Sequence, residues 1–148
     1  MSLYRNRQSF TPASGDAANH VVGSGTARAG LTEFCISSPA TPVEQMGQYR
    51  VARTTTAGTT PAGNTTVVKD DPLSPAAGCT VGGGGYSTEP TSGDVLGEYS
   101  VHQKAIFRWV AYPGRELRSL PASNNGIALI VVAQSAAFAI DTMVEWME

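Results

Sequence analysis

The segment that decides the fold is Ala137-Phe-Ala-Ile-Asp-Thr-Met-Val-Glu-Trp-Met147, in which side chains of two kinds alternate. Asp141 and Glu145 share one side of an extended chain, and in a helix they would interrupt any apolar stripe. Alternation with a period of two therefore predicts a β-strand with one buried face. The side chains predicted for that buried face are Phe138, Ile140, Thr142, Val144 and Trp146.

Two further stretches of the C-terminal third also predict strands. Residues 127–133 are apolar on both faces, and their length and β-branched content favour a central strand of a sandwich over a buried helix. Asn125-Gly126, in front of them, is a strong turn signal. Residues 104–112 alternate again and end at Pro113-Gly114, which removes an amide donor and admits positive φ. The alternation fits either one sheet or two packed sheets, with Trp109 and Trp146 as buried anchors.

The rest of the chain supports an all-β class. The 148 residues include 16 glycines and nine prolines, and charged residues make up only 15%. Further strands are predicted at residues 19–22, 31–37, 48–56, 66–68 and 95–101. No helix of three turns and no repeat at a fixed period is evident. About eight strands in one domain of residues 1–148 predict a jelly-roll-like two-sheet β-sandwich.

Two segments are less regular. Residues 1–12 carry Arg5 and Arg7 but few large apolar side chains, so they form either an edge strand or an N-terminal arm that orders on a partner. Tyr4, Arg5 and Arg7 are the interface residues predicted on this basis. Residues 59–91 are rich in Gly, Pro, Thr and Ser and predict a long loop region, which in a domain of this size is functional, ordered by a partner or disordered.

Charge and hydropathy exclude several classes of partner. The formal net charge of −2 provides no basic excess for phosphates, so nucleic-acid binding is not expected. No apolar run reaches the roughly 18–20 residues that span a bilayer, so no membrane partner is expected. The first residues lack the apolar segment of a signal peptide, so we expect no Sec-type secretion. Cys35 and Cys79 are then predicted to be free thiols.

Catalytic and metal-binding residue patterns are weak. His20 and His102, the only histidines, have no metal-ligand spacing, and neither thiol has a base placed beside it by the sequence. Residues 82–85, Gly-Gly-Gly-Gly, lack the Lys-Ser/Thr ending of a phosphate-binding loop. Asp70-Asp71 lacks the spaced oxygen ligands of a calcium loop.

Two strand carboxylates and one arginine complete this survey. Glu33 and Glu145 lie in different strands that could place them face to face, but a glycosidase pair also needs a cleft. Arg108 either lines a solvated face, or stacks on an aromatic ring and pairs with a carboxylate. We therefore predict no catalytic, cofactor-binding or metal-binding residue, no cofactor, and no enzyme activity.

Five pieces, in their order and spacing, carry a family resemblance: residues 49–59, 89–91, 107–117, 122–129 and 144–148. Together they resemble small proteins encoded by tailed bacteriophages, including cyanophages, and found in aquatic metagenomes. Some of these look like capsid decoration, or cement, proteins with a jelly-roll fold that sit on the outer shell as trimers. The resemblance covers residues 47–148, and its motifs are structural.

The resemblance implies a non-enzymatic virion protein that decorates or stabilises the capsid. It would self-associate as a homotrimer, bind the major capsid protein of a phage head, and reside in the virion after assembly in the host cytoplasm. An alternative is a carbohydrate- or receptor-binding β-sandwich of a virion fibre or a cell surface, with an aromatic platform that includes Tyr86, Tyr99 or Tyr112. A third hypothesis, a hydrolase, requires His20 or His102 to meet carboxylates in a cleft.

Overall fold

The computed structural model describes residues 1–39 and 41–148, and within them the chain forms thirteen strands and no helix. The strands are β1 (Leu3–Phe10), β2 (Ala17–Val22), β3 (Gly30–Ser37), β4 (Met46–Thr54), β5 (Thr59–Pro61), β6 (Val68–Lys69), β7 (Thr80–Gly83), β8 (Tyr86–Thr88), β9 (Ser92–His102), β10 (Phe107–Val110), β11 (Leu117–Arg118), β12 (Gly126–Gln134) and β13 (Ile140–Met147). The all-β prediction is confirmed. The eight predicted strands leave out β5, β7, β8 and β11, which are two to four residues long and too short for a visible side-chain period. They also leave out β1, for which the sequence left an edge strand and an arm open.

The strands form three antiparallel sheets. Sheet A has the order β10-β3-β13-β1-β6, with β11 also paired to β3, and sheet B has the order β7-β2-β12-β4-β9. Sheet C consists of β5 and β8. Sheets A and B share one apolar core, which is consistent with a β-sandwich. The apolar stretch at residues 127–133 is indeed central, because β12 pairs with β2 on one side and β4 on the other.

The core confirms the alternation of the C-terminal strand. In β13, Val144 and Trp146 are 3% and 0% exposed, whereas Glu145 points away from the core. Phe34 of sheet A and Tyr99 of sheet B meet edge to face at 5.5 Å between ring centroids, which links the two sheets. Trp109 is only half-buried and stacks on Phe34 at 5.4 Å, so it is a less complete anchor than predicted.

A group of polar side chains, the interior amide cluster, lies between the sheets and consists of Asn6, Gln8, Asn19 and Thr142. Asn19 Nδ2 donates to the carbonyl of Asn6 and to Thr142 Oγ1, and Gln8 Nε2 donates to Asn6 Oδ1 at 2.7 Å. The backbone N–H of Asn64 donates to Gln8 Oε1 at 2.7 Å, and Gln8 Nε2 donates back to the Asn64 carbonyl. The cluster therefore attaches the segment around Asn64 to β1.

The two irregular segments are both integrated into the fold. β1 pairs with β13 along its whole length and with the short β6 on its other side, so residues 3–10 are a near-edge strand and not a free arm. Residues 59–91 contain β5, β6, β7 and β8, and sheet C packs on the outer face of sheet B through Tyr86 and His20. Within the described residues, no helix is long and apolar enough to cross a membrane.

Candidate binding surface

The three predicted interface residues do not share one environment. Tyr4 is 1% exposed, and its ring stacks on Trp146 with 5.8 Å between centroids, so it belongs to the core and not to the surface. Its neighbours Arg5 and Arg7 point the other way, onto the outer face of sheet A. Successive side chains of β1 point to opposite faces of the sheet. The sequence did not indicate which face is buried, because Arg, Asn and Gln alternate along the strand.

Ion pairs cover the outer face of sheet A. Arg5 Nε lies 2.9 Å from Glu145 Oε2 and 2.8 Å from Asp70 Oδ1. Arg7 Nη2 lies 2.6 Å from Asp141 Oδ2. At the far edge of the sheet, Arg108 donates from Nε and Nη2 to the two oxygens of Glu33, each at 2.7 Å. We call Arg5, Arg7 and Arg108, with these partners, the arginine face.

The two charges of each pair differ in exposure. The side chains of Arg7 and Arg108 are 70% and 63% exposed, whereas Asp141, Glu33 and Glu145 are only 12–14% exposed. The carboxylates thus form a lower layer that orients the guanidinium groups, and the free N–H donors of the arginines point outward. Three arginines and four carboxylates leave the face close to neutral, which suits a polar protein surface better than a polyanion.

Hydrogen bonding fixes the charge states on this face. The bidentate hydrogen bonds from Arg108 hold the pKa of Glu33 below its ordinary value, although partial burial acts in the opposite direction. The hydrogen bond to Glu145 raises the pKa of Arg5. Glu33 and Arg5 are therefore both ionised at neutral pH.

A shallow groove of about 200 Å³ crosses the arginine face between Arg7, Cys35, Asp141 and Met143. The Oδ1 atom of Asp141 is buried there and accepts no hydrogen bond from the described residues. Burial, followed by the charge of Glu33, raises the pKa of the Cys35 thiol, so this thiol stays protonated at neutral pH. The groove can hold a partner's side chain, but it provides no activated nucleophile.

Glu33 and Glu145 do face each other, as directly opposed residues of β3 and β13. Each is bound to an arginine on the outer face of sheet A, Glu33 to Arg108 and Glu145 to Arg5. The hydrogen bonds from Arg108 lower the pKa of Glu33, away from the range of a general acid. Both carboxylates are thus engaged in ion pairs that orient arginines.

The two histidines lie in unrelated places. His20 is fully buried under sheet C, where Nε2 is 2.8 Å from Thr54 Oγ1 and Nδ1 is 3.2 Å from the hydroxyl of Tyr86. Burial lowers the pKa of His20 to about 4, so its imidazole is neutral at pH 7. His102 Nε2 lies 2.9 Å from Glu44 on the surface, and Glu44 also bonds Lys104. Neither histidine meets a carboxylate in a cleft.

The remaining polar motifs have structural roles. Asp70 pairs with Arg5, and Asp71 Oδ1 accepts from the backbone N–H of Leu73, so this acidic pair forms a turn. Residues 82–85 form the end of β7 and a turn with positive φ at Gly83, Gly84 and Gly85. In the described part of the chain, no three His, Cys, Asp or Glu residues are grouped to hold a metal ion.

The structure also shows the environments of both cysteines and of Tyr86, Tyr99 and Tyr112. Both thiols are free, as predicted, with Cys79 buried and Cys35 half-buried. Tyr99 lies between the sheets against Phe34 and Phe107, and Tyr86 covers His20. Tyr112 is 81% exposed, whereas Tyr86 and Tyr99 are half-buried. Of the tyrosines suggested for an aromatic platform, Tyr112 is therefore the one that lies open on the surface.

A second surface feature, which the sequence did not indicate, lies beside sheet C. It is an open depression of about 420 Å³, which we call the threonine depression. Its lining consists of Thr55, Thr56, Ala57, Gly58, Thr59, Thr88, Glu89, Thr91 and Asn124. The available signal was the abundance of threonine in residues 54–66 and 87–91. Threonine is also common in ordinary strands, so this abundance alone did not indicate a site.

Comparison of the chain with models of protein families, with curated proteins and with solved structures gives no match.

Proposed function

We propose that the protein is a non-enzymatic component of a phage virion, which decorates or stabilises the capsid as a homotrimer bound to the major capsid protein. Its location in the virion, after assembly in the host cytoplasm, rests on the resemblance carried by residues 47–148. The observation that supports binding as its mode of action is the arginine face, on which nearly buried carboxylates orient exposed arginines across four strands.

The jelly-roll part of this proposal is supported by the strand order. Eight of the thirteen strands, in chain order β1, β2, β3, β4, β9, β10, β12 and β13, pair with one another in a nested pattern. The first pairs with the last, the second with the seventh, the third with the sixth, and the fourth with the fifth. Such nesting is what a long hairpin rolled into two sheets produces, and it favours a jelly roll over other sandwiches.

The arginine face suits attachment to a protein shell. Oriented guanidinium groups lose little side-chain entropy on binding, and their free donors match carboxylates and carbonyl groups of a partner. The near balance of charge favours a partner surface with both signs. Arg5 and Arg7 thereby keep the interface role predicted for them, with Arg108 added, while Tyr4 supports the face from beneath.

The test is a pair of mass measurements. Light scattering gives the mass of the purified protein alone, and sedimentation with assembled phage heads that lack it measures attachment. We expect a trimer and saturable attachment to the heads. A stable monomer that never associates with heads contradicts the proposal.

Two matched variants locate the contact. Arg7→Gln together with Arg108→Gln removes the two most exposed guanidinium groups of the arginine face and should weaken attachment about tenfold or more, since interface arginines are frequent hot spots. Arg50→Gln is the control, because Arg50 pairs with Glu98 at 2.6 Å on sheet B. Equal attachment of both variants would place the contact elsewhere on the molecule.

A further inference from the structure

We propose that the threonine depression binds a neutral sugar, such as a terminal hexopyranose of a glycan. The site goes beyond capsid attachment and does not depend on it. It lies where the end of β4, sheet C and the turn at Asn124 meet, and its volume of about 420 Å³ falls within the size range of small-ligand pockets.

The depression offers polar groups that the protein itself does not use. The hydroxyl groups of Thr55, Thr88 and Thr91 are exposed and make no hydrogen bond to the described residues. The side chain of Asn124 is likewise exposed and makes no hydrogen bond to the described residues. Its backbone has a φ of 68°, in a region that asparagine tolerates better than most residues. Hydroxyl and amide groups can each donate and accept, which complements the hydroxyl groups of a sugar.

The walls of the depression are fixed before any ligand arrives. The backbone N–H of Thr55 donates to the carbonyl of Thr91 at 2.9 Å, and the N–H of Thr91 donates to Thr56 Oγ1 at 2.8 Å. Thr59 pairs with Thr88 across sheet C, and its hydroxyl is 3.0 Å from that of Ser87. A preformed site of this kind loses little conformational entropy on binding, which favours a small ligand.

Charge selects for a neutral ligand. Among the described lining residues, Glu89 is the only charged one, so an anionic sugar is disfavoured. Its two oxygens already accept the backbone N–H groups of Ala17, at 2.8 Å, and Tyr86, at 2.7 Å. Each oxygen retains a lone pair for a hydroxyl donor of the ligand. The lining residues include no aromatic ring for stacking, so the affinity should be in the millimolar range.

The position of the depression is compatible with capsid attachment. Sheet C lies on the outer face of sheet B, whereas the arginine face is the outer face of sheet A, on the opposite side of the two packed sheets. A molecule attached through its arginine face would leave the threonine depression open to solvent. Sugar binding and head attachment can therefore be measured separately, and either can fail without the other.

The experiment is a titration of the isotope-labelled full chain, followed by amide NMR shifts. The probes are the methyl glycosides of glucose, galactose and mannose, and N-acetylglucosamine, each taken into the tens of millimolar. At least one should give saturable shifts confined to residues 54–60, 86–92 and 123–126. Sialic acid, the anionic comparison, should bind at least severalfold more weakly than that sugar.

Variants decide whether the lining groups bind the sugar. Thr88→Val with Thr91→Val removes two free hydroxyl groups at constant shape and should weaken binding about tenfold. Asn124→Gly keeps a backbone that permits positive φ but removes the amide, and should also weaken it. Thr80→Val, an exposed threonine of β7, is the control and should leave binding unchanged. The absence of saturable shifts for every probe, or equal binding by all variants, overturns the proposal.

Discussion

Tyr49 and Tyr99 lie directly opposite each other in β4 and β9, and each ring lies over the glycine two residues before it in its own strand. A Cβ atom placed on Gly47 would be 2.6 Å from Tyr49 Oη, and one on Gly97 would be 2.6 Å from Tyr99 Oη. The glycines are therefore needed as space for the rings and not for an unusual φ. The same Gly-x-Tyr arrangement thus occurs in both of these paired strands.

This relationship predicts unequal costs for two identical substitutions. Gly47→Ala should lower the free energy of unfolding by about 1–3 kcal/mol, because Tyr49 is 1% exposed and its ring has nowhere to move. Gly97→Ala should be close to neutral, because Tyr99 is half-buried and the substitution also restricts the unfolded chain, a gain of about 0.4–1 kcal/mol.

Urea unfolding measures both costs. Gly93→Ala is the control in β9, since its Cβ would have no neighbour closer than 3.7 Å and the variant should be as stable as the parent or slightly more stable. Equal losses for Gly47→Ala and Gly97→Ala would show that the freedom of the Tyr99 ring does not matter.

His20 predicts a pH dependence of stability. Its folded pKa, about 4, is below its ordinary value of 6.5, so the unfolded chain binds more protons between these values. Stability should therefore be full above about pH 6.5 and fall as the pH drops toward 4, by about 3 kcal/mol in total from this group. His20→Gln, which keeps a hydrogen-bonding side chain but does not titrate, should flatten the curve in that window.

NMR titration of the His20 ring provides an independent check. Its midpoint in the folded protein should lie well below 6.5, and a midpoint near 6.5 would contradict the burial argument. Thr54 and Tyr86, which face the ring, are hydroxyl donors or acceptors and supply no carboxylate that could stabilise the charged form.

Glu148 joins the segment after β6 to the end of β13. Its carboxylate accepts the backbone N–H groups of Gly78, at 2.7 Å, and Cys79, at 2.9 Å, and the indole N–H of Trp146, at 3.0 Å. Burial would raise the pKa of Glu148, but these hydrogen bonds outweigh it and hold the pKa below its ordinary value.

Glu148→Gln should lower the free energy of unfolding by about 1–3 kcal/mol, because an amide NH₂ would face a donor that needs an acceptor. Since the folded pKa is depressed, the contribution of Glu148 is present above about pH 4.5 and is lost as the pH falls through the folded value. The difference from the parent should therefore shrink in acid. Glu98→Gln, on the surface, is the control and should change stability by less than about 0.5 kcal/mol.

The two thiols should react at different rates in the native protein. Burial and the neighbouring Glu148 raise the pKa of Cys79 to about 12, whereas Cys35 is half-buried beside a surface groove. Iodoacetamide should therefore modify Cys35 first, with Cys35→Ser and Cys79→Ser variants used to assign the rates. In urea the two rates should converge, and faster native modification of Cys79 would contradict its placement.

The sequence predicted what depends on local pattern. The alternation in β13 and the apolar run of β12 gave their buried faces and even the central position of β12, because a sandwich core imposes both patterns directly. Sheet C was missed because its strands are three residues long and packing against His20 supports them, a contact that no local period reveals.

The candidate surface was predictable only in part. Arg5 and Arg7 were predicted as interface residues and lie on the outer face of sheet A, but their partners Glu145 and Asp141 are 140 and 134 residues away along the chain. Tyr4 was misplaced because β1 has polar side chains on both faces, so the sequence could not indicate which face is buried. The threonine depression depends on the convergence of three separate segments and had no local signature.

The interior amide cluster has a consequence for how β1 finds its alignment. The buried face of β1 carries the ring of Tyr4 beside the amides of Asn6 and Gln8, so a shift by one residue would expose an apolar ring as well as two amides. In the observed alignment, the amides also find acceptors and donors on Asn64, and the carbonyl of Asn6 accepts from Asn19. A shift by one residue would bury Arg5 and Arg7 and leave the amides exposed to solvent. In β1, buried hydrogen bonds thus help to fix the register of the strand.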